Sequence, residues 1–260
     1  MHLSKIAFLS MILVVLIGSI LSYGFNPAKM ANEKEPPESK GFAVIELFTS
    51  EGCSSCPPAD QLVSKVLSEN KKNIYILSYH VDYWDRLGWK DNFSQAAFSN
   101  RQKQYSRYLS LDGVYTPQIV LNGTDQFVGS NETHLRSSLA HLQQESDLDI
   151  EVSKTNDTFM HLSYKITGKD PGLLNIALIQ PEAVTEVKRG ENGGRKLHHV
   201  NVVREFKTIE PAANEGSMDI VIPEELHTLS FKVIAFTQQK SNFKITGAAQ
   251  TTIKVNGKNF

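Results

Sequence analysis

Residues 42–60 read Phe42-Ala43-Val44-Ile45-Glu46-Leu47-Phe48-Thr49-Ser50-Glu51-Gly52-Cys53-Ser54-Ser55-Cys56-Pro57-Pro58-Ala59-Asp60. The first seven form a near-continuous apolar run, the pattern of a strand covered on both faces of its sheet. Pro57 and Pro58 open a helix to about Asn70, because proline suits a first turn whose amides have no intrahelical partner. The chain's two cysteines therefore fall in one four-residue window, between a buried strand and a helix start. Unpaired amides and about +0.5 of partial charge at that helix start favour a thiolate on Cys53. Cys53 is then the nucleophile toward an external disulfide, and Cys56, one turn on, the thiol that resolves the mixed disulfide. A passive cross-link over so short a loop stabilises by only about 2 kcal/mol, and a structural zinc site wants four ligands where no second cysteine pair exists.

Outward from this window, residues 41–146 alternate strands and helices. Asn73–Tyr79 reads as a second buried strand and Ser94–Leu109 as a helix. Gln118–Leu121 and Asp125–Val128 are strands about an Asn122-Gly123 hairpin signal, and Asn131 caps a last helix to Gln144. The order is β-α-β-α-β-β-α. From residue 147 to 260 the helical rhythm disappears. Seven short strands (149–152, 159–166, 173–180, 199–206, 218–222, 230–237 and 250–255) suggest an antiparallel β-sandwich-like domain. The fold class expected is thus α/β, a small domain over 41–146 followed by an antiparallel β domain over 147–260.

Upstream, Lys5 precedes an unbroken apolar run from Ile6 to Leu21. At 1.5 Å per residue it spans about 24 Å, short of a hydrocarbon core of about 30 Å. With Ser22-Tyr23-Gly24 following, residues 1–24 fit a cleaved signal peptide, the other reading being an uncleaved membrane anchor. Residues 25–40 are a charged, proline-bearing linker. Both readings export the remainder to the periplasm or the extracellular space, where thiols can be oxidised. Lysine plus arginine number 27 against 28 acidic residues, a formal net charge of -1. That leaves no excess of positive charge for a nucleic-acid partner. The 40% hydrophobic and 21% charged content is that of a globular chain.

Strand, Cys53-Ser54-Ser55-Cys56, helix, then Tyr115-Thr116-Pro117 before a strand resembles the thioredoxin fold. The resemblance implies a cis peptide before Pro117, facing the dithiol and offering the Thr116 backbone to an extended substrate. More closely, residues 46–60, His80-Val81-Asp82-Tyr83-Trp84-Asp85 with Gly88-Trp89-Lys90-Asp91, and Tyr115-Thr116-Pro117-Gln118 resemble an exported bacterial thioredoxin-like family labelled a domain of unknown function. Gly190-Glu191-Asn192, Gly194-Arg195 and Asn201-Val202-Val203-Arg204 resemble that family's C-terminal half. Thioredoxins also hold a buried acid beneath the dithiol. Glu46 is the candidate for that base toward Cys56, although it lies one residue further from the first cysteine than the thioredoxin acid does.

His80 to Asp85 follow the second strand, at the sheet edge where chemistry gathers in open α/β sheets. His80 could stabilise a thiolate, while Tyr83, Trp84 and Trp89 could floor a peptide groove or simply pack on the helix from Ser94. The resemblance makes Arg195 and Arg204 candidate contacts to the cysteine-bearing half or to a partner. His198 and His199 alternate faces of a strand and so cannot chelate one ion together. The expectation is an exported thiol–disulfide oxidoreductase without cofactor or resident metal. Its partners would be protein thiols and disulfides and a possible membrane redox partner. Rival readings make Cys53, Cys56 and His80 a Cu(I) metallochaperone site, or make the β half a non-enzymatic binding module.

Overall fold

The computed structural model describes residues 41–69 and 71–254, so the signal or anchor at 1–24 and the linker at 25–40 lie outside the described residues. Among the described residues no helix is long and apolar enough to cross a membrane. The first half runs β1 (Ala43–Thr49), α1 (Pro57–Ser68), β2 (Ile74–His80), a 3-10 turn over Asp82–Leu87, α2 (Ala96–Tyr108), β3 (Gln118–Leu121), β4 (Asp125–Val128) and α3 (Glu132–Ala140). Then follow β5 (Leu148–Lys154), β6 (Phe159–Ile166), β7 (Leu173–Glu186), β8 (Lys196–Ile209), β9 (Glu215–Val221), β10 (Phe231–Gln238) and β11 (Ile245–Ile253).

β1 is buried along its whole length, pairing parallel with β2 and antiparallel with β3. Alternation divides its side chains between two layers. Ala43, Ile45 and Leu47 pack with Ala59, Leu62, Val63 and Val66 of α1 and with Leu135 and Leu139 of α3. Val44 and Phe48 pack on the other face with Phe98 and Tyr105 of α2. At the β3–β4 turn Asn122 and Gly123 both take positive φ, 48° and 79°. The Phe243 carbonyl oxygen fills the space a Cβ at Gly123 would need, which is why glycine stands there.

The second half does not form a sheet system of its own. The sheet order is β11-β10-β7-β8-β2-β1-β3-β4, one eight-stranded mixed sheet, and β5-β6-β9 form a separate three-stranded sheet. Four of the seven C-terminal strands therefore extend the N-terminal sheet from the edge of β2, and the expected break at 146/147 is not a break in the sheet. The reason is the free edge: an unpaired β2 would leave its row of amides and carbonyls open. The join is parallel at Ser78↔Val202. Side chains complete it, the Ser78 hydroxyl donating to the Val200 carbonyl (2.8 Å) and the Asn201 amide to the Ile76 carbonyl (3.0 Å). β7 is buried on both faces: Leu174, Ile176 and Leu178 meet the three-stranded sheet, while Ala177 and Ile179 join the α2 layer. The architecture is mixed α/β, dominated by this sheet with three α-helices among the described residues.

Candidate functional site

The cysteine turn follows from the end of β1. The Cys53 amide donates to the Ser50 carbonyl (3.2 Å) and the Cys56 amide to the Cys53 carbonyl (3.2 Å). Cys56 already has helical dihedrals and sits at the N-cap of α1, with Pro57 in the first turn. Cys53 and Cys56 form a disulfide, with 5.4 Å between their Cα atoms. Both residues are fully buried, whereas the intervening Ser54 and Ser55 are exposed. The Ser55 hydroxyl lies 3.4 Å from the Cys53 sulfur and 3.5 Å from the Thr116 carbonyl oxygen. The Thr116–Pro117 peptide is cis. The Thr116 carbonyl faces the cysteine turn through Ser55, and Pro117, Ala59 and Leu47 all close on the space that a Cβ at Gly129 would need.

Trp84 ties these two segments together. Its indole N–H donates to the Thr116 hydroxyl (2.8 Å), and its Cβ lies 3.1 Å from where a Cβ on Gly52 would stand. Tyr83 donates to the Gln102 side chain of α2 (3.2 Å) and also meets the Thr116 side chain, with burial pushing its phenol up to about 12. Trp89 donates to the Glu51 carboxylate (2.7 Å). These aromatics are half-buried and pinned by hydrogen bonds. Trp84 stands beside the cysteine turn, and Tyr83 packs on α2.

Glu46 is not beneath Cys56. With Ile45 and Leu47 directed to α1, strand alternation turns Glu46 to the α2 face, where Arg101 holds it in a two-pronged ion pair (2.5 and 2.9 Å) and the Tyr105 hydroxyl donates to it (2.5 Å). Burial there lifts the Tyr105 phenol well above its ordinary range. The expected base is thus a structural carboxylate on the opposite side of the sheet from the disulfide.

The α1 face carries instead a cluster of histidines and acids, of which the sequence singled out His80 as a site residue. His80, at the end of β2, is fully buried, its Nδ1 2.7 Å from Asp91. Asp91 also accepts from the backbone amides of Glu51 and Phe93, both at 2.8 Å. Burial raises the Asp91 carboxyl, but the charge and hydrogen bond of His80 hold it below its ordinary value. His199, on β8, packs edge-on against the His80 ring with centroids 4.7 Å apart. Its Nε2 is 3.6 Å from Glu51 and its Nδ1 3.8 Å from Asp60, ion-pair distances too long for hydrogen bonds. Burial pulls the imidazole down, yet Asp60 and Glu51 together raise it to about 10. Asp60 also accepts from the Thr49 hydroxyl (3.3 Å).

The β7–β8 hairpin closes over the cysteine turn. The side-chain amide of buried Asn192 donates to the carbonyls of Glu51 (2.8 Å) and Cys53 (2.9 Å), and Arg195 holds Asn192 from behind (2.8 Å). The Glu191 carboxylate accepts the Ser54 amide (3.1 Å). Arg204 stacks on Phe93, with its guanidinium carbon 5.1 Å from the ring centroid, and its carbonyl accepts from Gln95 (2.8 Å). His198 is exposed while its neighbour His199 is buried, so the two do not converge. Among the described residues no three His, Cys, Asp or Glu side chains are arranged to hold a metal ion, and His80 is directed to Asp91 and His199 rather than joined with the cysteines. The clue to this cluster was two acids, Glu51 and Asp60, two residues before Cys53 and four after Cys56.

A crystal structure of a protein from Agrobacterium tumefaciens is similar at 28% identity and a TM-score of 0.60, covering 84% of this chain and 98% of that one. No curated protein matches. The model of a family described as a protein of unknown function (DUF1223) matches residues 44–238, three quarters of the chain, and the chain belongs to that family.

Proposed function

We propose that the protein is an exported thiol–disulfide oxidoreductase that acts on protein thiols and disulfides through Cys53 and Cys56, in a thioredoxin-like arrangement. The observation that carries this reading is the Cys53–Cys56 disulfide at the first turn of α1, with the Thr116 carbonyl turned toward it across Ser55. Cys53 is the attacking thiol, standing in the turn ahead of the helix start while Cys56 already has helical dihedrals at the N-cap of α1. Pro117 and Thr116 guide an extended client backbone past the sulfurs, with Trp84 at the side of that path. Exchange needs no cofactor: electrons pass between the client's two sulfurs and the protein's. A membrane redox partner then resets the pair in either direction.

The test is trapping with Cys56→Ser in cells that export the protein. The remaining thiol should accumulate mixed disulfides with clients, releasable by dithiothreitol, and their identity gives the direction of electron flow. A Cys56→Ser protein that gathers no such adducts, while Cys53 alkylates normally, sinks the reading.

A further inference from the structure

Three carboxylates are gathered around the cysteine turn, and one of them has no cation against it. Glu51 and Asp60 both face the buried His199, at ion-pair distance. Glu191, from the tip of the β7–β8 hairpin, reaches the turn itself, its carboxylate accepting the Ser54 amide at 3.1 Å. Hydrogen bonds from the Ser54 hydroxyl and amide hold the Glu191 carboxyl below its ordinary value, and among the described residues no cation faces it. Arg195, four residues on, is engaged with the Asn192 oxygen (2.8 Å). The hairpin fixes Glu191 in this place. The Gly193 amide closes a turn on the Gly190 carbonyl (3.0 Å), and Asn192 is anchored on the carbonyls of Glu51 and Cys53. Gly190 takes a φ of 76°, with the Trp89 Cβ 3.2 Å from where its own Cβ would stand. Four bonds separate the Ser54 nitrogen from the Cys53 sulfur, so the carboxylate stands within about 8 Å of that sulfur. At this range a full charge is felt until salt screens it.

We propose that Glu191 tunes the Cys53–Cys56 couple, its charge opposing a thiolate on Cys53 and so biasing the pair toward reducing client disulfides, an inference that rests on the redox reading above. A disulfide carries no charge, so the carboxylate acts on the reduced protein alone. A negative charge held near Cys53 destabilises its thiolate, and with it the dithiol state, which lowers the reduction potential. The N-terminus of α1 and the Ser55 hydroxyl, 3.4 Å from the Cys53 sulfur, pull the other way. The remaining titratable groups around the turn are Glu51 at the end of β1, Asp60 on α1 and His199 on β8, with His80 of β2 and Asp91 behind them. Glu51 and Asp60 share His199, and Asp91 has His80, whereas Glu191 has only Ser54. In the favoured direction Cys53 loses its proton to the medium and its thiolate attacks one sulfur of a client disulfide. The Cys53–client bond forms, the client S–S bond breaks, and its electron pair leaves on the other client sulfur, which takes a proton from the medium. Cys56 then loses its proton to the medium and attacks Cys53, forming the Cys53–Cys56 bond and releasing the second client thiolate, which is protonated in turn. The protein is oxidised and the client reduced by two electrons with no net change in protons. A dithiol on the membrane redox partner restores the pair by the same exchange.

The test is the pH profile of iodoacetamide reaction at Cys53 in the full chain carrying Cys56→Ser, with and without Glu191→Gln. Glutamine keeps an oxygen for the Ser54 amide and removes the charge. At about 10 mM salt, where charges act over about 30 Å, the glutamine variant should lower the midpoint by about half a pH unit. At about 1 M salt, where that reach is about 3 Å, the two profiles should coincide. Glu151→Gln, which removes an exposed carboxylate from the separate three-stranded sheet, should leave the midpoint in place. With both cysteines present, Glu191→Gln should make reduction by dithiothreitol about threefold more favourable at pH values above the midpoint. Profiles that coincide already at low salt, or a shift that persists at high salt, overturn the inference and leave the oxidoreductase reading standing. Absence of client adducts in the trapping experiment removes instead the reading on which it rests.

Discussion

Asn192 reaches from the β7–β8 hairpin to the carbonyls of Glu51 and Cys53, 2.8 and 2.9 Å away, so one side chain of the C-terminal half fixes the conformation of the cysteine turn. It is fully buried, and of the two oxygens the Cys53 carbonyl also accepts from the Cys56 amide. Its replacement by alanine should cost about 2–4 kcal/mol, two net hydrogen bonds of about 1 kcal/mol each plus the penalty of the Glu51 carbonyl left without this donor. Urea unfolding of the oxidised protein measures this. A change below about 0.5 kcal/mol would show the hairpin to be a bystander.

Glu46 and Arg101 form a buried ion pair on the far face of the sheet. Arg101→Met leaves Glu46 without its counter-charge and should cost about 3–5 kcal/mol. The double variant Glu46→Leu with Arg101→Met should recover most of that loss, because apolar replacements of a buried pair are tolerated. Since the pair sits on the opposite face from Cys56, the pH–rate profile for alkylation of Cys53 in the double variant should overlay that of the wild type. A displaced profile would return Glu46 to the redox chemistry.

These two relationships show how far the sequence could be read. The run from Phe42 to Phe48 marked a buried strand, and Glu46 stood out within it as a carboxylate, read there as a base toward Cys56. Which sheet face receives α1 and which receives α2 is set by tertiary packing, and Arg101 lies 55 residues away. No periodicity records that pairing. The seven C-terminal strands were legible from their alternation, but sheet membership was not. A change from helices to strands reports how strands are connected, and says nothing of the β2 edge to which β8 attaches. For the same reason His199 read as one of two strand histidines on alternate faces. Its partners Glu51, Asp60 and His80 meet it only through that join.

Stability should depend on pH through His199. Its folded value, about 10, lies above an unfolded value of about 6.5, so the folded state binds the extra proton between those limits. The contribution is therefore complete below about pH 6.5 and lost as pH rises through 10. Urea midpoints of the oxidised protein should fall over that window, and those of His199→Gln should fall less. Asp91 works in the opposite sense. Its lowered value stabilises the fold above about pH 3.9, and this is lost as the carboxyl protonates in acid. Parallel midpoint curves for wild type and His199→Gln between pH 6.5 and 10 would contradict the ion pairing.

Gly129 offers a test of how tightly the Pro117 side of the site is built. A Cβ there would stand 3.0 Å from the Pro117 Cβ, 3.1 Å from that of Ala59 and 3.1 Å from a methyl of Leu47. None of the three is the end of a long flexible chain, since Pro117 is a ring, Ala59 sits on α1 and Leu47 is fully buried in β1. The neighbours can yield only by moving α1 away from Pro117, and overpacking of this kind costs about 1–3 kcal/mol. Gly129→Ala should therefore lower the urea midpoint and also change the rate at which dithiothreitol reduces the disulfide, because α1 carries Cys56. Gly113, beside which a Cβ meets nothing within 4 Å, is the control, and Gly113→Ala should leave both quantities within error. If Gly129→Ala alters stability alone, the close packing around Gly129 holds the fold together without setting the reactivity of the cysteines.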